Sequence, residues 1–376
     1  MEISSLSLRE VYDSRVESTV EAEINGEIAA APSGASTGTH EALCFVPDNL
    51  GRVEEELKEE LEGRELDQDE FDSVLEEVDG TDNFSDIGSV AIASSLAFRK
   101  AEGFDRGEKF PYPVGNLVGG GAHGGNTSIQ EFLVLPLQSS TVPEAMDALS
   151  KVYNEFGERY SRHITGINDE GAYITKMGDE ETLKAVKKVT EEHGASVGVD
   201  IAASEFYEDR KYRYSSMGHE FDPDEQLKFM ERLVDQFGLV YVEDPFEEED
   251  FDRLAELTSR IHDTLVVGDD VFVTQEGRLQ RGIELGSGNS TIIKPNQAGT
   301  VTRTRDAFEL ADENGYVPVN SHRSGETCDP AIADLALEWG APLLKSGISG
   351  IRTAKNNQLL REWDRGDGEM ADVEAL

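Results

Sequence analysis

Seven short apolar runs recur along the last two thirds of this 376-residue chain, and helical periods fill the intervals between them. The runs span residues 132–135, 197–203, 239–242, 265–267, 291–293, 317–319 and 342–344. Between them, Leu227, Met230, Val234 and Phe237 share one face of a helix, and so do Phe251, Leu254, Leu257 and Ile261. Leu279 and Ile283 mark a third helix. Strand alternating with helix predicts an α/β fold whose strands are parallel and close into a (β/α)8 TIM-type barrel. An open doubly wound sheet is the rival, but no glycine-rich dinucleotide turn comes after any of the runs.

The chain ahead of this pattern reads differently. Residues 19–24 alternate apolar and polar, Asn25-Gly26 forms a turn pair, and 27–31 returns as a second strand. Helical periods succeed it at 53–61, 71–78 and 87–101, the last with Ser85 as its candidate cap. Residues 103–115, with Pro111 and Pro113, read as a boundary. The expected division is an N-terminal α+β capping domain over 1–108 and the barrel over 109–376.

The residues just beyond the apolar runs carry the chemistry. Asp200, Glu243, Asp269 with Asp270, Lys294, His322-Arg323-Ser324 and Lys345 end six successive predicted strands. In a barrel those ends share one mouth, where catalytic groups collect. A lone acid after a strand is most often a turn or cap residue. An ordered series of three acids, then Lys, His-Arg-Ser and Lys, is not explained by surface composition. Asp200, Glu243 and Asp269 offer hard oxygen ligands suited to Mg²⁺, while zinc-type sulfur and paired-histidine ligands are absent. A lysine crowded by positive charge and removed from water loses pKa and becomes a base, which suits Lys294 or Lys345. Arg323 offers a fork for phosphate or carboxylate.

Charge limits the partners. Against 34 basic residues stand 77 acidic ones, a net −43, and only 13 of the basic residues are lysine. Such a surface suits concentrated salt, where screening removes self-repulsion. It excludes nucleic acid and anionic membranes as expected partners. Two cysteines, Cys44 and Cys328, allow neither a disulfide framework nor a sulfur metal site. Without a leader-like start or an apolar span, the expected location is cytoplasmic.

Several strings together resemble the enolase family. They are Val11-Tyr12-Asp13-Ser14-Arg15, residues 32–38 with His40-Glu41-Ala42, Gln130-Glu131-Phe132 and Asn168-Asp169-Glu170-Gly171. Further on come Ala203-Ser204-Glu205-Phe206, Val242-Glu243-Asp244-Pro245-Phe246, Gly268-Asp269-Asp270 and Ile293-Lys294-Pro295-Asn296-Gln297. Ser321-His322-Arg323-Ser324-Gly325-Glu326-Thr327 and Lys345-Ser346-Gly347 complete the series, in order over nearly the whole chain.

The resemblance implies a lyase that reversibly dehydrates 2-phosphoglycerate to phosphoenolpyruvate in glycolysis and gluconeogenesis. Asp200, Glu243 and Asp269 would hold one Mg²⁺, and a second would arrive with substrate near Ser36. Lys294 would take the C2 proton. Glu170, supported by Glu131, would protonate the leaving hydroxyl. Lys345 would stabilise the enolate carboxylate, Arg323 and Ser324 would bind phosphate, and Gln130, His322 and His123 would complete the pocket. A homodimer or a ring of dimers is implied. Two other readings stay open: a paralogue acting on another 2-substituted small acid, and a non-catalytic binding or assembly protein. The departures from the family pattern are local. His123 and Gln130 stand one residue closer than usual, Gly119 replaces an asparagine, and Val16-Glu17-Ser18 replaces Gly-Asn-Pro. Cys328 and Ile351 stand where glutamate is usual, and the segment after Ala42 is shortened.

Overall fold

The structure is a computed structural model and describes residues 1–34, 40–366 and 368–373, with His123 described by its backbone alone. The N-terminal part is a three-stranded antiparallel sheet, Leu6–Tyr12, Ser18–Ile24 and Glu27–Ala30, backed by helices Leu50–Leu61, Gln68–Asp79 and Ser89–Glu102. The expected hairpin is present. Asn25 (φ 52°) and Gly26 (φ 92°) form its turn, in the left-handed conformation that a tight hairpin demands. Asp67 caps the second helix reciprocally with Glu70. The third helix departs from expectation. It starts at Ser89 with Gly88 at the cap position, rather than at Ile87 behind Ser85, and a side chain at Gly88 would run into Phe45.

Eight strands close the barrel: Tyr112–Gly119, Glu131–Leu135, Ser196–Asp200, Tyr241–Glu243, Leu265–Gly268, Ser290–Ile293, Val317–Ser321 and Leu343–Lys345. The last pairs with the first through Leu344↔Pro113 and Lys345↔Val114. The seven predicted runs are seven of these strands. The first strand lies in the stretch read as a boundary, because two prolines mask an otherwise apolar segment. Inward-facing Val114, Leu133, Tyr241, Val267, Ile292 and Val319 fill the barrel interior, all essentially inaccessible to solvent.

One strand runs against the rest. Glu131–Leu135 pairs antiparallel with both the first and the third strand. The connection from Gly119 to Glu131 contains only the short turn Gly121–His123 and no crossover helix, so the chain returns as a hairpin does. Both helices owed to this half of the barrel, Val142–Arg159 and Asp179–Glu192, therefore come after the second strand. Between them the hairpin Ile164–Ile167 and Tyr173–Thr175 extends the first strand's edge and carries the Asn168-Gly171 loop to the barrel mouth. Pro223–Phe237, Phe251–Arg260 and Glu276–Leu285 form where the helical periods place them, the first behind the Asp222–Glu225 capping box with proline at its start.

The two parts share a core. Val301, Ala331 and Leu335 of the barrel helices pack into the N-terminal cluster around Phe71, Ile92 and Phe98. Near the mouth, Ser33 and Gly325 exchange backbone hydrogen bonds of 2.8 and 2.9 Å, and Ser14 N–H donates to the Glu326 carbonyl. A side chain at Gly325 would strike Asp13 and Ser33, so the close approach requires glycine.

Candidate active site

Strand register builds the centre of the site. Glu131 sits opposite Asp200, and Asp200 opposite Glu243, so three neighbouring strands present carboxylates side by side at one mouth. The reversed strand delivers Glu131 from its start, whereas Asp200 and Glu243 come from strand ends. Across the closure, Lys345 ends the eighth strand and reaches back to all three. Its ammonium lies 3.0 Å from Asp200 Oδ2, 2.8 Å from both Glu243 oxygens and 3.0 Å from Glu131 Oε2. Burial works against this cation, but the Asp200, Glu131 and Glu243 charges outweigh it and hold Lys345 protonated. Glu243 is inaccessible to solvent and accepts a 2.6 Å hydrogen bond from the Tyr241 hydroxyl; burial, then Asp200, push its pKa up to about 8.

The second cluster lies after the fifth and sixth strands. Lys294 donates to Asp269 Oδ2, and Gln297 donates to Asp269 Oδ1 at 3.0 Å. Asp244 accepts the backbone N–H groups of Asp269 and Asp270, each at 2.9 Å, from a left-handed conformation of φ 41°. The expected loss of pKa at Lys294 is not met in this arrangement. Burial does pull it down, but its contact with the Asp269 carboxylate more than offsets Arg323, Lys345 and desolvation, and the net shift is upward.

A third group faces these two. Glu170 is fixed by its loop: Asn168 Oδ1 accepts the N–H groups of Glu170 and Ala172, and Gly171 (φ 80°) passes where a side chain would strike Ser349. Asn116, on the first strand, donates to Glu170 Oε2 at 2.9 Å. Burial, opposed by Lys345 and reinforced by Glu170, drives the Glu131 pKa well above the ordinary range. His322 is held neutral, first by burial and then by Arg352, whose Nε donates to His322 Nδ1 at 2.6 Å. Arg323 pairs with Glu41 at 2.7 Å, both nearly buried, and also donates to Asn296.

Of the predicted residues, Gln130, Glu131, Glu170, Asp200, Asp269, Lys294, His322, Arg323, Ser324 and Lys345 line one cavity. Glu243 lies directly behind Lys345. Ser36 and the side chain of His123 fall outside the described residues; Gly34 and Ala122 beside them line the same cavity. The expected carboxylate trio is divided between the two lysines, Asp200 and Glu243 on Lys345 and Asp269 on Lys294. Ligand atoms of Asp244, Asp269 and Asp270 lie within 4.8 Å of one another, and so do those of Glu131, Glu170 and His322. The mouth thus carries hard oxygen donors that can hold a cation, compensated here by ammonium groups.

Sequence reasoning gave no role to Asn116, Glu41, Asp244, Gln297 or Arg352. Glu41, Asp244 and Gln297 sit inside the recognised strings, so the signal was present. Asn116 lay in the strand hidden by its prolines, and Arg352 stands seven residues beyond Lys345 in no motif. Gly119, a departure from the family pattern, has a physical reason, since a side chain there would meet Asn168 Nδ2 at 2.2 Å.

A closed barrel with paired carboxylic acids, one buried and one partly buried lysine, a neutral histidine and an arginine at one mouth defines a barrel enzyme built for acid–base chemistry on a small anion. Residues 108–372 match the family described as "Enolase, C-terminal TIM barrel domain", and residues 3–110 match "Enolase, N-terminal domain". The chain is 41% identical over 389 residues to an enolase of Archaeoglobus fulgidus, covering 96% of this chain and 97% of that protein. It is 43% identical to an enolase of Natronomonas pharaonis, over 96% and 98% of the two chains. Against an enolase of Methanosphaera stadtmanae the identity is 42%, over 99% of each. The chain belongs to the enolase family.

Proposed function

We propose that this protein is a working enolase, a lyase that reversibly dehydrates 2-phosphoglycerate to phosphoenolpyruvate with Mg²⁺. The observation that supports the reading is that Lys294 and Glu170 line one cavity. Lys294 comes after the sixth strand, while Glu170 is bonded to Asn116 on the first, three strands round the closed barrel. A substrate lying between them can lose a proton on one side and a hydroxyl on the other.

Lys294 would remove the C2 proton through its unprotonated amine. Asp269 favours the ammonium form, so the base form gains when Asp269 is engaged elsewhere. Glu170 would deliver a proton to the departing 3-hydroxyl, and Glu131, whose hold on a proton burial strengthens and Lys345 opposes, would support it. Lys345 would stand against the substrate carboxylate, whose charge doubles as the enolate forms. Arg323, aligned by Glu41 and Asn296, would hold phosphate together with Ser324. Gln130 and the neutral His322 would donate or accept at the remaining oxygens, and His123 and Ser36 would close the pocket.

The donor set fits magnesium, because Asp200, Glu243 and Asp269 are hard oxygen ligands with no sulfur among them. When bound there, Mg²⁺ supplies positive charge that offsets the developing carboxylate dianion. A second Mg²⁺ accompanying the substrate phosphate belongs to the same reading, as do a homodimer or ring of dimers, a cytoplasmic location and a domain division at residues 108 and 109.

The test is growth of phosphoenolpyruvate absorbance from 2-phosphoglycerate in molar KCl with Mg²⁺. Turnover is expected, and its dependence on Mg²⁺ should be absolute. Turnover of a different 2-substituted acid alone would replace the reading with a paralogue. Neither turnover nor binding would replace it with a non-catalytic role.

A further inference from the structure

Arg352 is 1% exposed and lies outside every recognised string. Its Nε donates to His322 Nδ1 at 2.6 Å. Nη1 donates to the Asp169 carbonyl at 2.9 Å, and Nη2 donates to the carbonyls of Arg323 and Ser324 at 2.9 and 2.8 Å. Nη2 also stands 3.7 Å from Glu170 Oε1. The backbone makes way for this side chain, since at Gly347 (φ 68°) a Cβ would come within 2.7 Å of Arg352 Cδ.

Guanidinium carries five N–H donors and no acceptor, and it keeps its charge at any working pH. A ring nitrogen facing its N–H must therefore offer a lone pair. The neutral imidazole of His322 then has its proton on Nε2. We infer that Arg352 is a positioning residue that locks His322 in the Nε2–H tautomer and ties the Glu170 loop to the Arg323-Ser324 segment. One residue thereby sets the proton pattern of one pocket group and the spacing of two others. The charged groups around the ring are the carboxyl groups of Glu170 and Glu131 and the cations Lys345, Lys294 and Arg352. Burial and the Arg352 charge both oppose protonation, so the tautomer persists across the neutral range.

The catalytic consequence rests on the dehydration reading, but the tautomer does not. The test is a long-range ¹H–¹⁵N correlation spectrum of the full chain labelled at its seven histidines, in molar KCl with Mg²⁺. His322→Gln identifies the ring. The wild type should show a pyrrole-type Nε2 and a pyridine-type Nδ1 that do not titrate near neutrality. In Arg352→Met the ring should mix tautomers or titrate, kcat should fall roughly ten- to a hundredfold with KM less affected, and the pH profile should change. Arg352→Lys, which restores a donor, should recover part of both. A wild-type ring protonated on Nδ1 overturns the inference without any variant. An Arg352→Met ring unchanged from wild type overturns it as well. A wild type with the expected ring but no turnover of 2-phosphoglycerate overturns the proposed function and leaves Arg352 in its role.

Discussion

Lys294 and Lys345 occupy the same mouth in different company. Lys345 faces three carboxylates, whereas Lys294 holds one, Asp269. In the proposed reaction that asymmetry would make Lys345 the fixed positive charge and Lys294 the proton acceptor, restrained by a single competing bond. Lys294→Ala is therefore expected to abolish exchange of the C2 proton of 2-phosphoglycerate with solvent; exchange persisting in the variant would remove Lys294 as the base. Val16 presents a different residue-level problem. It is 78% exposed at φ 63°, a conformation that costs a β-branched residue about 1–2 kcal/mol, and it stands where the family has glycine. Val16→Gly should raise stability by roughly 1 kcal/mol, after allowing for the freer unfolded chain, as read from a denaturation midpoint. Asp72 is buried between Gln68 and the Thr302 N–H, and burial lifts its pKa to about 6 from 3.8. Its native form binds the proton more tightly than the unfolded chain does. Its contribution is full below 3.8 and lost as pH rises through 6, on the order of 3 kcal/mol. The stability difference between wild type and Asp72→Asn should track that window; a flat difference would place the carboxylate outside its buried role. At this scale the strand-terminal charges were legible because each stands at a break in hydrophobicity. Arg352 was not, since its significance depends on a partner distant in sequence, His322.

Among the elements, the reversed second strand decides what each neighbour can contribute. It puts Gln130 and Glu131 at the mouth from the beginning of a strand, and the segment leading into it has to be held. Asp179, the first residue of helix Asp179–Glu192, does this by accepting the N–H groups of Ser128 and Ile129 at 2.8 and 3.0 Å. Asp179→Ala leaves two buried donors without acceptors and is expected to cost about 2–4 kcal/mol. Hydrogen exchange at Ser128 and Ile129 should accelerate more than in the barrel strands, and equal protection in the two proteins would refute the anchor. Strand and helix alternation made most of the barrel readable, because buried parallel strands are short continuous apolar runs between periodic helices. The direction of the second strand was not readable, because a run of apolar residues has no polarity. The first strand was hidden for another reason: Pro113 pairs with Leu344 inside a central strand, where proline is unusual. Gly88 stands at the cap position expected of Ser85, and its close approach to Phe45 leaves no room for a side chain.

For the molecule as a whole, charge sets the conditions of stability. At −43 the folded chain repels itself, and the screening length contracts from about 10 Å at 0.1 M salt to about 3 Å at 1 M. The melting temperature should therefore climb steeply with KCl over that range; a melting temperature independent of salt would contradict adaptation to concentrated brine. Among the described residues no helix is long and apolar enough to cross a membrane. The composition carries this expectation of salt dependence, but how the N-terminal part docks was beyond it. That docking comes from the shared core around Phe71 and Val301 and from the reciprocal hydrogen bonds between Ser33 and Gly325. The same seam has a practical corollary. Two polypeptides produced separately, severed after helix Ser89–Glu102 and before the strand Lys109–Phe110, should find each other and reconstitute one enzyme. Neither piece carries a complete pocket, so complementation in a mixture of inert halves would report the strength of the seam directly.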